Sequence, residues 1–395
     1  MSISVSTMDK KIYAVIAVVI IVIAAVGAYL VINKDSDDES GSTISAIARV
    51  NTDGSGIYLK AEYDPADFYT ESADGSIELI PSAWGGKVWG TPGTSSIQHV
   101  QMMQMAEEMG LGWAKYNGGS LDPNTMYYVD SISNYDAAVE KNSEILDGGI
   151  LWEPQYTMIA SNPIYQEFLL TNDLFPGHTC CVIAGSTSYM ESNPEVTVAF
   201  LAAYKQAVDY VNAALQDKES EEYATLISIC IKYTTGLTED QIRAALDNIV
   251  YKFSDDNVTG SLDDLVADIA DLETNLYDMG SITTDIADLG FSNSTEFAEA
   301  LVDDSYLTQA VAGEATDVGN VTVTVAAITG DVHQIGIRVA QDLGFFEQYG
   351  ITVNVTSLAN GGAVALDILN GHSDFALLGA PPLTSNVVNG HYIHA

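Results

Sequence analysis

The stretch from Val321 onward constrains the fold most, because it switches between two periodicities at regular intervals. "VTVTVAAI" (Val321–Ile328) alternates β-branched residues with period two, as a strand does. The turn "TGDVH" then leads to a helix expected over 334–343, with Gly344 where a C-cap glycine belongs. The pattern repeats. "ITVNVTSL" reads as a second strand, "NGG" as a turn, 363–370 as a helix closed by Gly371, and "DFALLG" as a third strand. "APPLTSNVVNG" reads as a loop with a short helix, and Tyr392 as the start of a fourth strand. Strands and helices alternating at this spacing predict right-handed parallel crossovers, the opening of an α/β doubly wound sheet. Such an opening needs a continuation.

The earlier part of the chain supplies one. "ISAIARV" reads as an apolar strand, and "NTDGSGIYLK" as a polar loop into another strand. "GGKVWGTPGTSSIQHVQMMQMAEEMGL" reads as a strand, a Pro-Gly loop and a serine-led helix ending at Gly110. "MYYVD" predicts a strand, "YDAAVEKNSEIL" a helix, and "GGILWEPQYTMIA" a strand entering a loop. "CCVIAG" reads as a further strand. From Pro194 the chain is expected to be mainly helical to about Ala312, and the polar "AGEATDVGN" leads back to Val321.

Charge narrows the partners. With 14 Lys+Arg against 54 Asp+Glu, the chain carries a formal −40 at pH 7. A broad attraction to nucleic acid or to an anionic membrane surface is thereby excluded. The acidity itself reads as a solvated surface suited to high salt or acidic surroundings. Cys180, Cys181 and Cys230 form neither a disulfide framework nor a metal-ligand spacing. "TCCVIAG" reads as two small buried strand side chains, with redox chemistry as the alternative.

Lys10 and Lys11 precede an apolar run over 12–32, followed by the acidic "NKDSDDESGST". A helix of that length reaches about 30 Å, one hydrocarbon thickness. The run is longer than the apolar part of a usual signal peptide, and no cysteine follows it to carry lipid. An uncleaved single-pass anchor is expected, with its basic side in the cytoplasm and all that follows outside. The sequons at Asn257, Asn293, Asn320 and Asn354 are compatible with an exposed exterior.

"LGFFEQYGITVNV", "ALDILNGHSDFALLGAPP", "VNTDGSG", "GKVWGTPGTSSIQH", "GILWEP" and "SNPEVTVAFLAAYKQAVDY" together resemble the nitrate/sulfonate/taurine group of ABC-transporter substrate-binding proteins. The resemblance covers nearly everything beyond the anchor. It implies an α/β, two-lobed periplasmic-binding-protein-like fold (type II), here with an N-terminal transmembrane helix. In that family the "GFFEQYGI" and "GAPP" elements come first, whereas here they come last, and "YIHA" would run on into "ISAIARVNTDGSG". The chain therefore looks circularly permuted. A tandem protein with an incomplete second module is the rival, but each element occurs once and the two parts complement each other. The expected division is 1–43 for anchor and linker, 44–86 for lobe 1, and 87–178 for lobe 2. Lobe 1 then returns with its helices over 179–312, 313–320 is a linker, and 321–395 is the displaced beginning of lobe 1.

The resemblance implies a clamp that closes on a small solute and delivers it to an ABC permease with its ATPase. No catalytic residue, cofactor or metal is expected. Loops at the ends of parallel strands, and the helix N-termini after them, are where open α/β sheets bind ligands, and their N–H groups favour anions. The candidate residues are Thr329, Gly330, Asp331, His333 and Gln334; Gly379, Ala380 and Pro381; Asp53, Gly54 and Ser55; and Thr94, Ser95, Ser96 and Gln98. Each of the Thr94–Ser96 hydroxyls can equally be a helix cap, and His333 can equally be a capping histidine. Trp152 and Glu153 resemble the family's cleft segment. Trp152 either stacks on the solute or fills the lobe's core, and Glu153 opposes a bare anion unless it points away or meets an amine.

His391 and His394 would face opposite sides of a strand, which argues against a metal pair. "DDLVADIADLE" lacks the calcium-loop spacing and reads as a solvated helical face. Two other functions remain. One is an enzyme on this scaffold, since pyrimidine-forming proteins of thiamine synthesis share the fold. That reading wants a His and Cys cluster in the cleft. The other is an anchored sensor without a transporter. No G-x-S-x-G elbow supports a hydrolase. Nitrate, bicarbonate, alkylsulfonates, taurine and pyrimidine precursors all remain candidate solutes.

Overall fold

Ile44–Asp53 (β1) is buried at all of its ten positions, as expected of a strand paired on both edges and covered on both faces. The structure, a computed structural model, describes residues 43–234 and 236–395. The expected anchor and most of its linker lie outside the described residues. Among the described residues, no helix is long and apolar enough to cross a membrane.

Two six-stranded mixed sheets organise the chain. In the first, Ile249–Tyr251 (β11) borders β1, followed by Thr179–Ser186 (β10), Phe375–Gly379 (β14), Val321–Ile328 (β12) and Ile351–Leu358 (β13). β12 runs parallel to both β13 and β14, while β10 is antiparallel to β14 and to β1. Ile47 of β1 and Val325 of β12 thus belong to one sheet. The second sheet orders Gly112–Lys115 (β6), Thr125–Asp130 (β7), Val88–Thr91 (β5), Gly148–Trp152 (β8), Ser55–Lys60 (β2) and Tyr165–Leu170 (β9). A small hairpin, Tyr69–Glu71 (β3) with Ile77–Leu79 (β4), flanks it.

The chain crosses between the sheets twice. From β1 to β2 the only interruption is Gly54, where Asp53 at φ 59° and Gly54 at φ 87° turn one continuous extended run. The return passes from β9 through the turn Thr171–Leu174 into β10. Each lobe has its own core. Around the first sheet, Phe200 stacks between Phe375 and Phe346 at 4.3 and 5.3 Å, beneath the helix Pro194–Gln216. Each such fully buried ring contributes about 1.5–3 kcal/mol. Around the second, Trp84 and Trp89 stack at 4.6 Å on one face, and Tyr58 meets Tyr165 edge-on at 5.0 Å on the other.

Several expectations change. "NTDGSG" is no loop but the crossover itself, so the chain joins the second sheet from Ser55 rather than after 86. β6, β9 and β11 were not anticipated. Gln155–Ala160 is a helix where a loop was expected, and Asp136–Lys141 forms one wide π-type turn. Ala380–Asn389 follows β14 directly as a full helix, with Pro381 in the first turn, where a missing N–H costs no bond. Tyr392 starts no strand. Both edges of β14 and of β1 are already paired, so the sheet has no place beside them. The Tyr392 carbonyl instead accepts from the Thr43 N–H at 2.9 Å, and Ala395 N–H donates to Leu289 at 3.1 Å. "DDLVADIADLE" is helical, within Asp263–Asp278, but Asp268 turns inward to the buried Arg49 at 2.9 Å.

Candidate functional site

Between the lobes lies a cleft of about 610 Å³. Four helices begin at its wall: Ile97–Glu108, Gln155–Ala160, Gly361–Leu369 and Ala380–Asn389. The short turn Val332–Gln334 points there too, through Asp331 and His333. This convergence follows from the topology, since helices after parallel strands begin at the strands' carboxyl ends. No lysine or arginine is among the lining residues. The helix N-termini offer an anion favourable charge, each terminus contributing about 0.3–1 kcal/mol near the surface.

Of the residues predicted from the sequence, Thr94, Ser95, Ser96, Gln98, Trp152, Thr329, Gly330, Asp331, His333, Gly379 and Pro381 line the cleft. The Ser96 hydroxyl caps its helix, accepting from His99 N–H at 3.2 Å and donating to the Gly93 carbonyl at 2.7 Å. The Gln98 side chain donates to Ser55 Oγ at 2.9 Å and so ties the helix to the crossover. Asp53, Gly54, Ser55, Glu153, Gln334 and Ala380 are not on the cleft wall. Asp53 accepts from the Gly177 N–H, and Gln334 Oε1 accepts from the Ile328 N–H at 2.8 Å.

Glu153 points away. It is buried, accepts from Thr157 Oγ1 at 3.0 Å and from Asn248 Nδ2 of the other lobe at 3.1 Å, and its pKa is raised because burial outweighs those bonds. It therefore joins the lobes rather than facing the cleft. A second tie runs from Ser281 Oγ to the Thr94 carbonyl at 2.9 Å.

His333 is buried, with Nδ1 2.9 Å from Asp331 Oδ1 and Nε2 2.9 Å from the Gly54 carbonyl. Both neighbours are acceptors, so both ring nitrogens must donate and the ring is an imidazolium. Burial alone would discharge it, but the negative charges of Cys180, Asp331 and Glu153 lift its pKa to about 9.

Sequence reasoning missed Ser133, Asn134, Gln155, Asn360 and Asn386 on the cleft wall, and also Cys180 and Cys181. Asn360 had a readable signal: its side chain caps Gly361–Leu369, accepting from Ala363 N–H at 2.9 Å. The cysteines are buried strand residues, as the apolar run suggested, but they also face the cleft. Among the described residues no group of His, Cys, Asp and Glu is arranged to hold a metal ion.

Two lobes joined by two crossovers thus carry a donor-lined cleft between them. No protein-family model matches the chain, and no curated protein does. Among solved structures it is similar to the zinc-bound ligand-binding component of an ABC-type import system from Staphylococcus aureus. That match has 15% identity and a TM-score of 0.46, over 68% of this chain and 75% of that one. It is also similar to the periplasmic nitrate-binding protein NrtA from Synechocystis PCC 6803, with 15% identity and a TM-score of 0.45, over 69% of this chain and 68% of that one.

Proposed function

We propose that this chain is a solute-binding receptor that takes a small anionic or zwitterionic solute into the interlobe cleft by closure and passes it to an ABC importer. The observation that carries the reading is the convergence of helix N-termini, hydroxyls and side-chain amides on a cleft without lysine or arginine. A volume of about 610 Å³ falls within the usual range for small-molecule sites, about 300–1,000 Å³. Glu153, held by Asn248 and Thr157, does not oppose an anion there. Nitrate, bicarbonate, alkylsulfonates and taurine are the candidates. The run over 12–32, with Lys10 and Lys11 before it, supports a single-pass anchor that holds the binding module outside the cytoplasm, beside a permease and its ATPase.

We also infer a circular permutation. Counted from Val321, the first sheet reads second, first, third, the return strand and then β1, and the hydrogen bond between Thr43 and Tyr392 supports a former connection there.

A thermal-shift screen of the candidate solutes against the full chain tests the function. A cleft binder gains RT ln(1 + [L]/Kd), about 2.7 kcal/mol at one hundred times Kd. One solute should raise the melting temperature, and Asn360→Ala should weaken its effect. No shift with any of them, together with turnover of another compound, would replace this reading with the enzyme on the same scaffold, for which Cys180 and His333 at the cleft are the favouring observation.

A further inference from the structure

In a regular strand, adjacent side chains leave on opposite faces. β10 is not regular at Cys180. On β1, Asn51 pairs with Cys181 and the next residue, Thr52, pairs with Thr179, so Cys180 is the extra residue of a bulge. Bulges re-aim side chains, and this one brings the two Sγ atoms to 3.8 Å. Both thiols are free. They are only 5% and 4% exposed, yet both belong to the wall of the 610 Å³ cleft, so a molecule in the cleft meets them.

Their surroundings make the two sulfurs unequal. A fixed imidazolium at His333 acts on Cys180, whose thiol is brought down to about 6, first by the hydrogen bond from Cys181 and then by the charge of His333, against burial and Asp331. Cys181 is pushed up, since its S–H serves as donor to Cys180 and it is buried. A thiolate beside a positive charge, with a second thiol in reach, is the arrangement of a nucleophile and its resolving partner. Cys230 has neither feature: it sits in the helix Glu221–Tyr233, and burial raises it to about 12.

We propose that Cys180 and Cys181 form a dithiol–disulfide couple opening on the cleft, in which Cys180 attacks a small organic disulfide and Cys181 resolves the mixed disulfide. In the first step the Cys180 thiolate bonds to one sulfur of RSSR and expels RS⁻, which takes a proton from solvent. Cys181 then loses its proton to solvent, its sulfur bonds to Cys180, and the second RS⁻ leaves and is protonated. The dithiol gives up two protons and two electrons, and RSSR becomes two RSH. Adjacent Cα atoms stand about 3.8 Å apart, below the usual disulfide separation of about 4.4–6.8 Å. The ring is therefore strained and readily reduced again, which suits a reversible couple. None of this requires the solute-binding reading, and the two fail separately.

The test exposes the reduced full chain to bis(2-hydroxyethyl) disulfide, followed by acid quench, unfolding, alkylation and mass measurement. The expected product is lighter by two hydrogens, alkylated at Cys230 alone, and restored by dithiothreitol. Cys181→Ser should stop at one mercaptoethanol adduct on Cys180, Cys180→Ser should react at least about tenfold more slowly, and Cys230→Ser should behave as the parent. The parent chain decides the matter without any variant. If its three thiols stay alkylatable while the unfolded chain reacts, or a stable adduct remains on Cys180, or Cys230 is consumed first, the couple does not exist.

Discussion

At the scale of single residues, two buried histidines should pull the pH dependence of stability in opposite directions. His333 keeps its proton to about pH 9 in the fold, against about 6.5 in an unfolded chain. Its contribution is complete below about pH 6.5 and is lost as pH rises through about 9. His99 is the reverse. It accepts from Trp113 Nε1 at 3.3 Å, lies 2.8 Å from Thr91 Oγ1, and burial lowers it to about 4, so its contribution is complete above about 6.5 and fades as pH falls through about 4. Urea unfolding across this range should show His333→Gln closest to the parent near pH 9, and His99→Gln closest near pH 4. A gap that widens toward those limits would contradict the assigned charges. Arg49 offers a second prediction. Its guanidinium joins Asp255 and Asp268 beneath β1, and Arg49→Ala leaves the buried Asp255 carboxylate with far less compensation. The expected loss is about 3–5 kcal/mol by denaturant unfolding. Nothing in "ISAIARV" announced this ion pair, because its partners lie 206 and 219 residues away.

At the scale of elements, β12 and β13 were legible to the residue because Val or Ile alternates with Thr or Asn over 321–325 and 351–356. β9 has no such alternation, and β6 is too short to carry a period. The instructive failure is "NTDG", whose residues ordinarily mark a turn. Here the positive φ values serve a bend inside a buried strand that passes from one sheet to the next, and only the partner strands reveal it. That bend yields a sharp prediction. At Gly54 a Cβ would meet His333 Nε2 at 2.3 Å and Ile249 at 2.9 Å, at φ +87°. Gly54→Ala should cost about 2–5 kcal/mol, from left-handed strain and overpacking together. Gly75→Ala, at φ +85° with open space around it, should show the backbone part alone, about 1–2 kcal/mol. Equal losses at the two sites would mean that His333 does not pack against the crossover. The cleft followed the same rule of legibility: loops after recognisable strands were found, while Cys180 was hidden by a bulge that one strand cannot show.

At the scale of the whole molecule, the order of elements and the pattern of contacts can be separated by experiment. β12, β13 and β14 complete a sheet whose other half is made by strands far earlier in the chain, and the segment 313–320 leading into β12 is largely exposed. Where Tyr392 meets Thr43 the backbone is already within one hydrogen bond, 2.9 Å. A chain that begins at Val321, runs to Ala395, and continues through a short Gly/Ser link into Thr43 and on to Ala312 would keep both sheets, both crossovers and the cleft. Among the described residues it would lose the bonds of the excised segment 313–320, such as Val318 N–H to Tyr349 O. Its unfolding free energy should therefore fall within about 1–2 kcal/mol of the full chain, with a nearly unchanged urea slope, since the slope follows the surface exposed on unfolding. It should also respond to the same solute in the thermal-shift screen. A much shallower slope would mean that one half of the first sheet folds only when the chain visits it last, and the order of elements in this chain would then be a requirement of folding rather than one of two orders that the finished fold tolerates.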